Sequence, residues 1–370
     1  MAHLSGLLLI DCPASALNNA GKFLQMENKN RYENWTAIKK ITTRQGVYPY
    51  VSAQAFRSWL RETLVSVDGW TASPVFREEK IAYTDANPIL YAEDDLFGYM
   101  RAPGGGKEGV SSLKAGWQER KLTDQEVGKS NKFVALTRVS PVKVSTLVSI
   151  AAIPSSGIGY DYGNMARQEG DPVPHEHEFY RTTLCGLLSV DLRMLGRFYH
   201  VERTGYRHLD EVRRKLAEEK GLKRWDGDKA FELTPEERQA RLKQLLEGLA
   251  RISGGAKLTL HYTDVSPKVV MLGVAKGGNH LFGTAVGANS RGEPVINREA
   301  LKEVARVFAG DLLSKFYVGL TEGYLDDQRE GLKEVLGSLP GKGAHSLGHP
   351  VEAIRALISD VETNAAEWLA

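Results

Sequence analysis

A chain of 370 residues with 42% hydrophobic and 25% charged side chains can bury one large core with insertions or two smaller cores, which excludes global disorder. Its formal net charge of +2 excludes an overall polycation, so any basic surface for nucleic acid has to be local. Two cysteines, Cys12 and Cys185, argue against a disulfide framework and for a reducing compartment.

The opening apolar run, Leu7 to Ile10, ends at Asp11, too short for a signal core or a membrane span, so a soluble cytoplasmic protein without a secretory leader is expected. That run reads as a buried strand leaving the core at Cys12-Pro13 into the polar loop "SALNNAG". Lys22 to Gly46 is polar and aperiodic, with Lys39, Lys40 and Arg44 near its end. Ser52 reads as the N-cap of a helix reaching Val65, in which Phe56, Trp59, Leu60, Thr63 and Leu64 form a core-facing stripe. Gln54, Arg57 and Arg61 line another face.

From Asp68 to Asn131 the composition, with "APGGGKEG" and "LTDQEVGKSNK", suits a surface insertion with flexible tips. Phe133 to Ile153 is β-branched and alternating, broken by Pro141 into two strands or one kinked strand. The polar "PSSGIGYDYGNMARQEGDPVPHEHE" interrupts before "FYRTTLCGLLSVDL", where Leu184, Gly186, Leu188, Val190 and Leu192 share one side of a strand. Leu209, Val212 and Leu216 mark a helix. Thr234, Pro235 and Glu237 open another through a capping box, with a stripe at Leu242, Leu245, Leu246 and Leu249 closed by Gly254-Gly255. "AKLTLHY" and "KVVMLGVA" return to strand patterning; "INREALKEVARVFAGDLL", capped by Asn297, and "HPVEAIRALISDV", with Pro350 in its first turn, are helical. The whole fits an α+β architecture, one sheet carrying helices on a face, with two excursions.

Chemistry-bearing motifs are few. "GGGKEG" fails as a phosphate loop because Arg101 and Glu108 stand where a glycine and a Ser or Thr are required. His175 and His177 share a side of an extended segment, but no spaced Cys or His pair completes a zinc site, so a polar strand entry is favoured and neither metal nor cofactor is expected. No G-x-S-x-G occurs. The helix opening at Ser52 is different: its unpaired N–H groups favour an anion by about 0.3–1 kcal/mol, and Ser52, Gln54 and Arg57 would add a hydroxyl, an amide and a guanidinium fork. An ordinary solvated helix face remains the alternative.

At these residues the sequence resembles a known family. "YPYVSAQAFRSWLRETL", preceded by "CPASALNNAG", is similar to the repeated backbone subunit of type I CRISPR Cascade complexes, in the DevR branch of the RAMP superfamily. The family's helix opens as apolar-S-S-Q-S-apolar-K-R; in "VSAQAFRS", Ser52 and Gln54 match, Arg57 replaces a common lysine and Ser58 departs from a second basic residue. "LTRVSPVKVSTLVSI" with "HEHEFYRTTLCGLLSVDL", and "GGAKLTLHYTDVSPKVVMLGV", resemble its later palm strands. The resemblance implies an RRM-like (ferredoxin-like) palm from 1–66, 133–153 and 179–370 (with C-terminal helices), a fingers insertion at 67–132 and a thumb hairpin at 154–178.

It further implies a guide-RNA-binding protein that polymerises along crRNA and supports hybridisation with a target DNA strand in antiviral defence. Partners would be further copies of itself, the large and small subunits, a 5′-handle cap and a crRNA-processing endonuclease, with no membrane; the DevR character points to subtype I-B. Ser52, Gln54, Arg57 and Arg61 become guide-phosphate contacts, joined by Asn18, Asn19, Arg44 and Lys257, while Lys39 and Lys40 read as solvated. Ile158 and Met165 become thumb-tip wedges, or packing residues against a neighbouring copy. Related type III subunits cut RNA with an aspartate after the first strand; between Asn18 and Gly46 stand Glu27 and Glu33 but no aspartate, so a non-catalytic subunit is expected. The alternative is a RAMP endoribonuclease processing precursor crRNA through His3, His175 or His177. A duplex-DNA regulator has no helix-turn-helix signature to support it.

Overall fold

Leu4, Leu7, Leu8, Leu9 and Ile10 are all buried, the mark of a strand covered on both faces. They belong to β1 (Ala2–Ser15), the centre of the computed structural model, which describes residues 1–22, 35–78, 81–101, 135–165, 169, 173–201, 206–343 and 347–370. Strands β2 (Asn19–Lys22), β3 (Trp35–Ile38), β4 (Lys40–Thr43) and β5 (Gly46–Val51) follow, so the aperiodic stretch 22–46 holds short strands in its described part. Helix α1 (Ala53–Leu64) starts at Ser52, and Phe56, Trp59, Leu60, Thr63 and Leu64 are its buried residues, as the spacing requires. The next segment holds β6 (Val75–Glu78), β7 (Ile81–Thr84), α2 (Ala92–Phe97) and β8 (Tyr99–Arg101). Glu27, Glu33 and the "GGGKEG" segment lie outside the described residues.

Where two strands or one kinked strand were expected, three short ones occur: β9 (Leu136–Arg138), β10 (Val142–Val144) and β11 (Leu147–Ser149). A hairpin of β12 (Gly159–Met165) and β13 (Val173–Asp191) comes next. Then come β14 (Arg197–Tyr199), α3 (Glu211–Glu219), β15 (Lys223–Trp225), β16 (Ala230–Glu232) and α4 (Pro235–Ala250), the last opened by the Thr234–Glu237 capping box. Leu209 falls outside α3, ahead of its cap Asp210, and Arg213 and Ala217 are that helix's buried residues.

The chain continues with β17 (Val269–Lys276), β18 (Val286–Ala288), β19 (Pro294–Ile296), α5 (Arg298–Val307) and β20 (Tyr317–Leu320). It closes with α6 (Asp326–Ser338), β21 (Leu347–Gly348) and α7 (Pro350–Trp368). The sequence reading missed α6, whose N-cap Leu325 offers no side-chain cap and whose apolar residues all lie in its second half. The expected strand "AKLTLHY" is instead a turn: Lys257 takes a left-handed φ of 57° and its carbonyl accepts the N–H groups of Leu260 and His261.

Within the principal sheet, β17, β1, β13 and β11 lie in that order, each antiparallel to its neighbour. Helix α1 connects the first-strand region to the segment containing β11, and α4 lies between β13 and β17 in the chain. Leu4, Leu8 and Ile10 pack with residues of α1, α4 and α7, whereas Leu7 and Leu9 pack with residues of α5 and α6. Helices therefore cover both faces of the central strands, correcting the expectation of one covered face. The alternation of β1 is apolar on both sides, so neither face could be left to water.

The described part of the expected surface insertion is anchored, not loose. Asp95, wholly buried, accepts from Arg138, from Arg241 Nη1 at 2.7 Å and from the Gly196 N–H at 3.0 Å. Asp85 and Asp210 pair with Arg213 at 3.0 and 2.7 Å, and Arg101 reaches Asp210 at 3.1 Å. These pairs bind the segment around 85–101 to residues 196–241. The interval 193–233, expected from sequence in the palm, thus packs with the segment around 85–101, expected as fingers, around a small core of Ile89, Phe198, Leu209, Ala217, Phe231 and Leu233.

Candidate nucleic-acid interface

Three segments meet at the start of α1. Ser52 takes an extended conformation and its Oγ accepts the Ala55 N–H at 3.3 Å, while the Ser52 N–H donates to Asn18 Oδ1 at 2.9 Å. The Phe56 N–H is the first to reach back to the Ser52 carbonyl, which leaves the Ala53 and Gln54 amides beyond the reach of any helical carbonyl. Gln54 itself is exposed.

Alongside runs the loop after α4. Its Ser253 N–H donates to Thr63 Oγ1 of α1 at 3.1 Å, and its Ala256 N–H donates to the Leu17 carbonyl at 3.1 Å. Glycine is required at both intervening positions. Gly254 and Gly255 have φ of 151° and 122°; a Cβ on the first would lie 2.4 Å from Trp59 Cγ and one on the second 2.6 Å from Leu17 Cδ2. Backbone from Leu17–Asn18, from the α1 entrance and from Gly254–Lys257 is therefore held side by side. A helix N-terminus flanked by a half-buried lysine can take an anion without reading a base.

Not every residue expected here takes part. Arg57 points away from the entrance: it donates to Phe97 O at 2.5 Å, Val142 O at 2.7 Å and Ser140 Oγ at 3.1 Å, and its guanidinium lies 5.2 Å from the Phe97 ring centroid. Burial, then the neighbouring Arg61, push it down to about 10, so it stays charged at neutral pH. Arg61 sits 4.9 Å from the same ring and 3.5 Å from Glu93. Both arginines tie α1 to the segment that holds Glu93 and Phe97, which corrects the expectation of two guanidinium groups free for phosphate. Arg44 occupies the turn between β4 and β5, at the far end of β5 from Ser52, roughly 20 Å away at the rise of a strand. Asn19 begins β2 opposite Ile38.

The β12–β13 hairpin continues directly out of the principal sheet along β13, pairing Gly159–Met165 with Val173–Phe179. Ile158 is 5% exposed and lies in the main core, so its side chain is not free to act as the expected wedge; the expectation overlooked that it ends a short turn folded onto that core. Met165 pairs with Val173 at the far end of the described hairpin. Tyr160 and Tyr162 of β12 are exposed, on the face opposite Asp161. Glu178, 2% exposed, accepts from Lys40 Nζ at 2.9 Å and the Ile38 N–H at 3.1 Å, so Lys40 is paired and not merely solvated. His175 and His177 share the other face, their ring centroids 5.4 Å apart, with His261 of the 257–261 turn near them. Sequence reasoning missed His261 because it lies in the turn mistaken for a strand. Among the described residues no group of three or more His, Cys, Asp or Glu could hold a metal ion, and no helix is long and apolar enough to cross a membrane.

Comparison with solved structures returns a chain of a "CRISPR RNA-guided surveillance complex" and one of a "CRISPR RNA-guided surveillance complex, pre-nicking", each at 10% identity over 97% of this chain and 99% of the other. Their TM-scores, 0.46 and 0.48, are too low to bear on role. No curated protein sequence matches. The family described as "CRISPR-associated negative auto-regulator DevR/Csa2" matches residues 13–288. That match takes in β2 through β18, including the whole α1 entrance and the hairpin, and the chain belongs to the DevR/Csa2 family of CRISPR-associated proteins.

Proposed function

We propose that the chain is a non-catalytic, guide-RNA-binding backbone subunit of a type I CRISPR surveillance complex, of subtype I-B. In this reading copies polymerise along crRNA in the cytoplasm and support its hybridisation with a target DNA strand. The observation that carries it is the convergence of Asn18, the Ser52–Gln54 helix opening and the Gly254–Lys257 loop, a backbone-built anion site inside a CRISPR family member. Donors of that kind grip phosphate whatever the base, as a subunit serving any guide must. The antiparallel order β17–β1–β13–β11, with α1 and α4 as its connecting helices, supports reading the core as an RRM-like (ferredoxin-like) palm. The β12–β13 hairpin supports the thumb, with Met165 as its remaining wedge residue.

Arg57 and Arg61 act in this reading as positioning residues through Phe97, and Arg44 meets the strand at a separate phosphate. The large and small subunits, the 5′-handle cap and the crRNA-processing endonuclease complete the assembly. The test is binding of two guide RNAs of unrelated sequence across a salt series, with the RNA recovered afterwards. Equal affinities, equal salt slopes and intact RNA are expected. Affinities differing by more than about tenfold would contradict a backbone grip, and metal-independent scission would replace it with the endoribonuclease.

A further inference from the structure

On one face of the β12–β13 hairpin, Gly159, Asp161 and Gly163 stand opposite Phe179, His177 and His175. The two glycines let the Phe179 and His175 rings lie across the β12 backbone, where a side chain would clash. A Cβ at Gly159 would sit 2.4 Å from the Phe179 ring, and one at Gly163 would sit 2.2 Å from the His175 ring. From the 257–261 turn, His261 stacks on Phe179 with ring centroids 4.9 Å apart and places Nε2 3.8 Å from the Asp161 carboxylate, beyond hydrogen-bond distance.

Two polar atoms on this face lack partners. His177 is 8% exposed and the His261 side chain 9%, yet His177 Nδ1 and His261 Nε2 have no hydrogen-bond partner among the described residues. Buried imidazole nitrogens are ordinarily paired. The charged and titratable groups facing them are Asp161 from β12, His175 from β13 and Lys257 from the turn. Glu176 and Glu178 project to the opposite face, where Lys40 and the Ile38 N–H hold the Glu178 carboxylate. One carboxylate thus stands among three imidazoles and an ammonium.

We infer that His177 and His261, with Lys257, form a proton-linked seat for a phosphate of the bound nucleic-acid strand at the root of the thumb. The inference rests on the RNA-binding reading above and adds a contact and a pH response to it. Each free nitrogen, once protonated, donates to a phosphate oxygen, and each imidazole then carries positive charge. Burial, then Lys257 and His175, hold His177 below the usual histidine range, so the His177 ring is neutral near pH 7 in the empty seat. An arriving phosphate reverses that balance, and binding takes up protons.

The test is the affinity of the full chain for a fluorescent oligouridine between about pH 8 and about pH 6, alone and as His177→Asn and His261→Asn. Calorimetry of the unsubstituted protein in buffers of different ionisation enthalpy measures the proton uptake directly, should either variant fail to fold. Wild-type affinity is expected to rise about tenfold per pH unit for each proton taken up, with each variant matching it near pH 8 and responding less to acid. Oligouridine bound with no proton uptake, or a pH response unchanged in both variants, overturns the seat and leaves the RNA-binding reading standing. No binding at any pH overturns the RNA-binding reading itself. Shortened oligouridine overturns the seat in favour of a catalytic pair.

Discussion

Arg57 separates a scaffold role from a ligand role, because its guanidinium is already occupied inside the protein. Arg57→Ala removes donors to Phe97 O, Val142 O and Ser140 Oγ together with the contact to the Phe97 ring. Hydrogen bonds from a charged donor contribute about 1.5–3 kcal/mol each, but Val142 O keeps the Ser140 hydroxyl as a partner and Arg57 is only half-buried. The net loss is therefore about 2–4 kcal/mol, not the sum of three bonds. At roughly 2 °C per kcal/mol for a large chain, the melting temperature should fall by roughly 4–8 °C. Arg57→Lys should recover little, since one ammonium cannot span three acceptors in the plane of the fork. The assay pairs thermal unfolding with the slope of log K against log salt for a guide RNA. A slope reduced by about 0.7, the value for one phosphate contact on a single strand, with unfolding unmoved, would refute the scaffold assignment.

Asp95→Asn should cost about 3–5 kcal/mol, because it leaves the guanidinium groups of Arg138 and Arg241 buried without their shared carboxylate; chemical denaturation checks this, and a midpoint close to wild type would show that the network is dispensable. His280 bears on pH. Its Nε2 lies 3.0 Å from Gly6 O and 3.2 Å from Leu188 O while Nδ1 accepts the Phe282 N–H, so the neutral ring with its proton on Nε2 satisfies every partner. Burial lowers its pKa, so on acidification the unfolded chain takes the proton first and stability falls as pH drops below about 6.5. His280→Asn should flatten that part of the stability profile; an unchanged acid slope would assign it to other groups.

Local signals carried well into the structure. The Ser52 cap, the Thr234 capping box, the Asn297 cap and the stripe from Phe56 to Leu64 all depend on residues within two turns of one another. The buried side of β13, from Leu184 to Val190, followed from simple alternation. Long-range facts did not carry. Nothing within a turn of Arg57 says that its acceptors lie at 97, 140 and 142, and an arginine on a polar stripe looks the same in sequence whether it faces solvent or a carbonyl. "AKLTLHY" alternates as a strand does, but Leu260 and Tyr262 are exposed, and the left-handed Lys257 turns the chain before any ladder can form. Ile158 sits in glycine-rich text that reads as a hairpin tip, although its side chain belongs to the main core. The entrance itself was half legible: its cap could be read from a short window, whereas Asn18 and Gly254–Gly255 reach it only through the fold.

The central claim is that identical copies of this chain line up on a polyanionic strand through the α1 entrance. Native mass spectrometry of the protein on guide RNAs of graded length and unrelated sequence tests it most directly. The number of bound copies should rise in proportion to RNA length and stay the same when the sequence is scrambled. A single copy per RNA at every length would contradict it.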